Sequence, residues 1–158
     1  MKTYTAGLQD KEKMWIKEGE TLVGTIDFDR SVWQGYIGAT FTIGGETFKA
    51  ESMRGNTIIL KDGKELFTCV FHPLWGNLEL QAAGQDTGFD IKGKWFKPGT
   101  RLTDADDNDL VVVTADALTG SKITVEVADD DVAPVMVAMT LYHHVRASAA
   151  KLMIAAIA

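Results

Sequence analysis

The sequence predicts a mainly β protein, an antiparallel β-barrel of about nine to twelve strands that encloses a hydrophobic C-terminal α-helix. Three observations predict this class: short runs alternate between apolar and polar residues, glycine-containing turns separate the runs, and a long apolar segment begins near residue 132. At 158 residues the chain has the length of one domain, so we expect a single domain over residues 1–158.

The first predicted strands follow the two-residue period of a strand with one buried face. Leu22, Gly24, Ile26 and Phe28 alternate with Val23, Thr25, Asp27 and Asp29. The run Ile37, Ala39, Phe41 and Ile43 repeats the pattern. Gly44-Gly45 and Asp62-Gly63 each stand between two such runs, and these pairs favour two-residue hairpin turns.

Further strands are predicted after the second hairpin, and short turns link them. They are residues 66–71, 77–82, 110–114 and 123–127, together with the alternating run at 89–95. No segment with a helical period of useful length precedes residue 131. We therefore expect strands over about residues 21–127, closed or sandwiched as an antiparallel meander.

The C-terminal segment predicts a helix over about residues 132–155. Three consecutive acids, Asp129 to Asp131, precede it, and Pro134 stands near its start, where proline is tolerated. Its polar residues form one narrow stripe of Thr140, His144, Ser148 and Lys151, and most other positions are apolar. A helix that is apolar on nearly all sides has to be buried or lie in a membrane.

Three interpretations of this helix follow. A transmembrane helix needs about 20 apolar residues, whereas His143, His144, Arg146 and Lys151 interrupt this segment. An amphipathic helix on a membrane or partner surface needs a wider polar face. A helix inside the predicted barrel fits best, because a barrel of many strands has room for more than side chains.

Charge is concentrated in one region of the chain. The net charge is −6, and residues 104–131 carry nine acids against one base, whereas residues 1–103 are balanced. This acidity disfavours a nucleic-acid partner. The single cysteine excludes an internal disulfide, and the polar N-terminus shows no secretory signal, so a cytoplasmic location is expected, with association at a membrane surface left open.

A basic segment precedes the acidic region and supplies the candidate binding residues. They are Lys92, Lys94, Lys97 and Arg101, and Trp95 and Phe96 stand between them. Such a group can bind the phosphates of anionic lipids, and the aromatic residues can anchor at the interface. The alternative is a solvated outer face of the barrel that pairs with the acidic loop.

The acidic loop after this segment is a weak candidate for calcium. Asp104, Asp106 and Asn108 have the spacing of the first three ligands of a calcium loop. The glycine and glutamate that the full loop needs are replaced by Asp109 and Ala115. A solvated hairpin turn is the favoured interpretation, and no other cofactor or metal is expected.

No pattern in the chain proposes a catalytic reaction. Adjacent histidines such as His143 and His144 point about 100° apart on a helix, so they do not share a metal as a spacing of four would allow. Cys69 lies within a predicted strand and is interpreted as a core thiol. Nucleophile-elbow, Walker and dinucleotide-binding patterns are absent from the sequence.

The strand-rich body and hydrophobic C-terminal helix resemble the tubby C-terminal-domain superfamily. That group includes phospholipid scramblases and the LURP-one-related proteins. The segments DIKGKWFKPGTRLTDADDNDLVVV, KDGKELFTCV and DVAPVMVAMTLYHH carry the resemblance, over about residues 35–145. It implies a barrel of about twelve strands around a central helix, and contact with phosphoinositides or other anionic lipids.

The resulting functional expectation is a non-enzymatic barrel that binds anionic phospholipid or a protein partner, at a membrane surface. Two alternatives stay open at this point. One is a soluble structural or interaction module without a lipid role, and the other is a barrel that carries a small ligand or acts as an enzyme. The sequence does not indicate an oligomeric state.

Overall fold

The structure is a computed structural model. It describes residues 1–9, 12–31, 35–72, 74, 76–93, 99–115 and 122–157, and it places side chains in these ranges except at 30–31, 35–36 and 148–157. The described part confirms the predicted class, because it consists of twelve β-strands followed by one long α-helix.

The strands follow one another along the chain in short connections. They are β1 (Lys2–Leu8), β2 (Lys13–Glu18), β3 (Thr21–Ser31), β4 (Gly35–Ile43), β5 (Glu46–Met53), β6 (Asn56–Lys61), β7 (Lys64–His72), β8 (Asn77–Ala82), β9 (Gln85–Gly93), β10 (Gly99–Thr103), β11 (Asp109–Ala115) and β12 (Ile123–Val127). The helix α1 spans Pro134–Ile157.

Each strand pairs antiparallel with its neighbour in sequence, and β1 also pairs with β12, so the sheet closes into a barrel. In the closing pair Tyr4 lies opposite Val125 and Ala6 opposite Ile123. Closure leaves the sheet without an unpaired edge strand. A barrel wider than eight strands has space beyond its own side chains.

Two glycine-containing hairpins predicted from the sequence are confirmed. Gly44 and Gly45 have φ angles of 62° and 76°, and Asp62 and Gly63 have φ angles of 53° and 77°. Positive φ at both central residues is the geometry of a primed turn, whose twist matches the twist of the flanking strands. Gly44 also approaches the helix closely, since a Cβ atom built on it would lie 3.2 Å from Cγ of Pro134.

The helix lies inside the barrel, which confirms the third interpretation of the apolar segment. Every residue from Val135 to Val145 is buried, including Tyr142, Leu141 and Met139, which have no exposed surface. Tyr142 packs against two barrel aromatics, with ring centroids 6.0 Å from Phe28 and 5.6 Å from Phe41. The helix therefore forms the centre of the hydrophobic core.

Two polar residues of the buried turns, Thr140 and His144, form hydrogen bonds. The hydroxyl of Thr140 donates to the backbone carbonyl of Met136 at 2.7 Å, within the helix. Nδ1 of His144 lies 3.0 Å from the hydroxyl of Thr100 on β10. These bonds explain how a stripe of polar side chains is tolerated in the core, because a buried polar group without a partner is costly.

Two differences separate the sequence-based expectation from the structure. The strands begin at Lys2, because β1 and β2 precede the predicted start near residue 21. The helix begins at Pro134 and ends at Ile157, about two residues later at each end than predicted. The first difference matters for closure, since β1 is the strand that joins β2 to β12.

Antiparallel order gives the barrel two distinct ends. The helix begins beside the β4–β5 turn, where Pro134 approaches Gly44. It reaches the opposite end near Arg146, whose guanidinium donates to the hydroxyl of Thr57 at the start of β6. Ala147 is exposed, so the helix leaves the barrel at this second end.

Candidate functional site

Exposed apolar side chains gather at the end where the helix leaves, which we call the apolar end. Seven large apolar residues are exposed among those described: Met1, Leu8, Leu22, Ile37, Met53, Phe71 and Leu74. Five of them lie at strand ends or connections on the apolar end, namely Leu8, Ile37, Met53, Phe71 and Leu74. Leu74 is 91% exposed, in the connection between β7 and β8.

Two of these residues occupy positions whose side chains face the barrel interior in the pleat. Leu8 pairs with Met14, which is fully buried, and Phe71 lies two residues after fully buried Cys69 on β7. Successive side chains of a strand alternate between its two faces. Leu8 and Phe71 are nevertheless about half exposed, at 52% and 49%. Two interior-facing positions at the apolar end therefore carry half-exposed apolar side chains.

Carboxylates gather at the opposite end, which we call the acidic end. The connections that join strands there, and the link from β12 to the helix, carry eight acids and no base: Glu20, Asp62, Asp104, Asp106, Asp107, Asp129, Asp130 and Asp131. The described part of the connections at the apolar end carries two bases, Arg54 and Lys122, and one acid, Glu12. The barrel is therefore polarised along its axis.

Of the predicted basic residues, Lys92 and Arg101 are described and both form ion pairs with the acidic loop. Nζ of Lys92 lies 3.0 Å from Asp107, and the Arg101 guanidinium lies 3.0 Å from Asp109 and 3.7 Å from Asp107. Lys92 and the charge of Arg101 hold the pKa of Asp107 below its usual range. These contacts agree with the alternative interpretation of the basic segment, in which it is an outer face of the barrel that pairs with the acidic loop.

Lys94 and Lys97 lie outside the described residues, as do Trp95 and Phe96. Among the described residues of the predicted basic site, the structure brings together Lys92 and Arg101, which are direct cross-strand partners on neighbouring strands. Lipid binding by this segment stays a prediction.

The predicted calcium candidates form a self-contained turn. Oδ1 of Asp104 accepts hydrogen bonds from the backbone N–H groups of Asp106 and Asn108, both at 2.9 Å, and Oδ2 accepts one from Nδ2 of Asn108. The backbone donor of Asn108 contributes most to lowering the pKa of Asp104. No cluster of three or more histidine, cysteine or acidic side chains placed to hold a metal occurs in the part of the chain that is described.

The interior holds two further groups that the sequence singled out. Cys69 is fully buried on β7, its sulfur 3.6 Å from that of Met139, and burial raises the pKa of its thiol to about 12. A thiol with that pKa is inert at neutral pH, since the thiolate is the nucleophile. The core interpretation of Cys69 is confirmed.

His143 is a buried polar group of the core whose Nε2 atom has no hydrogen-bond partner among the described residues. Its side chain packs edge-on against Tyr142 with ring centroids 5.3 Å apart. Burial, with a smaller contribution from the nearby Arg146 charge, lowers the pKa of His143 to about 3. The ring is therefore neutral at physiological pH.

Arg146 fastens the helix to the rim of the apolar end. Its guanidinium donates to the Thr57 hydroxyl at 3.1 Å, across the gap between α1 and β6. Thr57 is buried, whereas Arg146 is only half buried. This contact holds the helix at the level where it leaves the barrel.

Substitution of either Thr57 or Arg146 is expected to remove this hydrogen bond and destabilise the protein. Thr57→Val and Arg146→Met should each lower the free energy of unfolding by about 1.5–3 kcal/mol, the usual value for a hydrogen bond to a charged group. Urea unfolding of both single variants and the double variant measures the coupling between them. Fully additive losses would show that the two side chains do not interact.

The polarity of the two ends was not predicted from the sequence. It depends on which connections fall at which end, and that assignment needs the correct order of every strand, including β1 and β2. One feature of the sequence could have indicated this polarity. The turns after β10 and β12 are acidic, whereas the connection around Leu74 is apolar.

Comparison with protein-family models, with curated protein sequences and with solved structures finds no match to this chain. In the described part of the chain, no helix is long and apolar enough to cross a membrane.

Proposed function

We propose that this protein is a non-enzymatic binding module that docks with its apolar end on an anionic membrane surface. The observation that carries the proposal is the gathering of Leu8, Ile37, Met53, Phe71 and Leu74 around the point where the helix leaves the barrel. Apolar side chains exposed at one end of a protein can form a site of association with a protein or a membrane.

Burial of these side chains supplies the driving force. Transfer of apolar surface out of water contributes roughly 25 cal/mol per Å². Leu74, at 91% exposed, has almost its whole side chain available for this transfer. The half-exposed Phe71 adds an aromatic ring at the rim.

The charges at the two ends of the barrel determine which membrane surface it binds and how it is oriented there. The eight acids of the acidic end are repelled by an anionic bilayer, whereas the described connections of the apolar end carry Arg54 and Lys122 against the single acid Glu12. A basic residue close to such a surface contributes about 1 kcal/mol. The barrel therefore approaches with its apolar end toward the lipid.

The proposal keeps two expectations from the sequence. The twelve-stranded barrel around a hydrophobic helix has the architecture that the tubby-like resemblance implies, and this supports a tubby-like relationship as part of the proposal. The segment that contains Lys94 and Lys97 connects β9 to β10 in sequence, so its attachment points, Gly93 and Gly99, lie at the apolar end.

Vesicle co-sedimentation tests the proposed function. The full chain is mixed at low salt with vesicles of phosphatidylcholine alone or with phosphatidylserine added. We expect binding to the anionic vesicles that weakens as salt rises, because screening shortens the reach of the charges. Leu74→Glu should reduce binding by at least about tenfold, since it replaces an apolar contact with a repelled charge.

The matched control is Leu22→Glu at the opposite end of the barrel. Leu22 is 57% exposed, so it tolerates the same substitution, and it lies at the start of β3 on the acidic end. Its binding should equal that of the unmodified chain. If the chain does not bind anionic vesicles and the same surface binds a protein instead, the membrane proposal is wrong and the partner is a protein.

A further inference from the structure

A separate cleft lies at the acidic end, where the helix begins. Its volume is about 340 Å³, and its apolar wall is formed by Tyr4, Val23, Val127, Val132, Pro134 and Val137. Cavities of about 300–1,000 Å³ are the usual size of small-molecule sites. It lies between α1 and the barrel wall, so it is separate from the apolar end.

The floor of the cleft is fixed by buried side chains. Val127 and Val137 are each 2% exposed, and they come from the end of β12 and the first turns of α1. Gly44 and Gly45 form the wall at the β4–β5 turn, and a Cβ atom at Gly45 would have nothing within 4 Å. An apolar group of a ligand would enter against this floor.

The charged residues at the rim of the cleft determine which ligand charge the cleft favours. Asp129 and Asp130 line it together with one cation, Lys2, whose ammonium lies 3.3 Å from Asp130. Oδ1 of Asp129 accepts the backbone N–H of Asp131, which orients this carboxylate. The rim is thus negative overall, and the other acidic turns of this end add to its field.

We propose that this cleft binds a small amphipathic amine, with the apolar body of the ligand against Val127 and Val137 and its ammonium group at Asp129. An ammonium donates up to three hydrogen bonds and suits carboxylate oxygens. An anionic ligand of the same shape is repelled by the same rim.

Titration of the full-length, isotope-labelled protein with n-hexylammonium, followed by NMR, tests this site. We expect saturable shifts of the backbone signals of Gly44, Gly45 and Val132. Hexanoate, which has an apolar chain of similar length and the opposite charge, should bind at least about tenfold more weakly, and 1-hexanol should fall between the two.

Two variants separate the cleft from the rest of the acidic end. Val132→Trp should fill the cleft and abolish the shifts, while Asp129→Asn should weaken binding several-fold. Asp62→Asn is the control, because Asp62 lies in the β6–β7 turn and does not line the cleft. Equal binding of hexanoate, or equal losses in the Asp129 and Asp62 variants, would overturn the proposal.

Discussion

Leu141→Asp is expected to abolish folding. Leu141 has no exposed surface, and it lies midway along the buried turns of α1. Loss of a buried leucine costs about 2–5 kcal/mol, and an unpaired carboxylate in the core costs several more. The sum approaches the whole stability of a typical domain, about 5–15 kcal/mol.

Circular dichroism during heating measures this effect, with Leu22→Asp as the control. Leu22 is 57% exposed, so the same substitution there should leave a cooperative transition near that of the unmodified chain. Removal of residues 132–158 should have the same outcome as Leu141→Asp, since a twelve-stranded barrel without its helix has an unfilled interior. A folded, more soluble Leu141→Asp protein would show that the helix lies on a surface.

Acid is expected to destabilise the protein through His143. The pKa of His143 is lowered to about 3 in the folded state, against about 6.5 in an unfolded chain. The unfolded state therefore binds the additional proton between these values. The stability contributed by the neutral ring is fully present above pH 6.5, and it is lost as the pH falls through that window.

The slope expected from one such group is up to about 1.4 kcal/mol per pH unit. Urea unfolding at pH 7.5, 6 and 5 measures it, above the range in which most carboxylates titrate. His143→Leu should reduce the slope by this amount, and at pH 7.5 it should be nearly neutral, because Nε2 of His143 is buried without a partner among the described residues. An unchanged slope in the variant would place the titrating group elsewhere.

The helix could be predicted from sequence because its signal is local. A helix with Val, Met, Leu and Ala on most sides has to be buried in the protein or lie in a membrane. The hairpins at Gly44-Gly45 and Asp62-Gly63 could be predicted for a similar reason, since their positive φ angles suit few residue pairs.

The first strand was not predicted, because its alternation is short and rests on small residues. In β1, Tyr4, Ala6 and Leu8 alternate with Thr3, Thr5 and Gly7, but Gly7 is buried on the face opposite to Ala6. Gly7 is explained only across the sheet: it pairs with Trp15, and a Cβ atom on it would lie 2.6 Å from the indole ring. Such a contact has no signature in a single segment.

The candidate site was only partly predictable for a related reason. Lys92 and Arg101 were identified by type, and their ion pairs with Asp107 and Asp109 follow from the short β10–β11 connection. The apolar end combines residues from β1, β4, β5, β7 and the β7–β8 connection. It becomes visible only when the strand order is known.

We propose that the apolar end of the barrel faces the membrane, and cysteine labelling tests this orientation most directly. The native Cys69 is fully buried with a pKa raised to about 12, so a thiol reagent leaves it unmodified. An environment-sensitive fluorophore is attached either at Leu74→Cys or at Leu22→Cys, on opposite ends of the same folded barrel.

Anionic vesicles are then added to each labelled protein. The proposal predicts a blue-shifted, stronger emission for the label at position 74, and an unchanged spectrum for the label at position 22. A shift at position 22 alone, or equal shifts at both positions, would contradict docking through the apolar end.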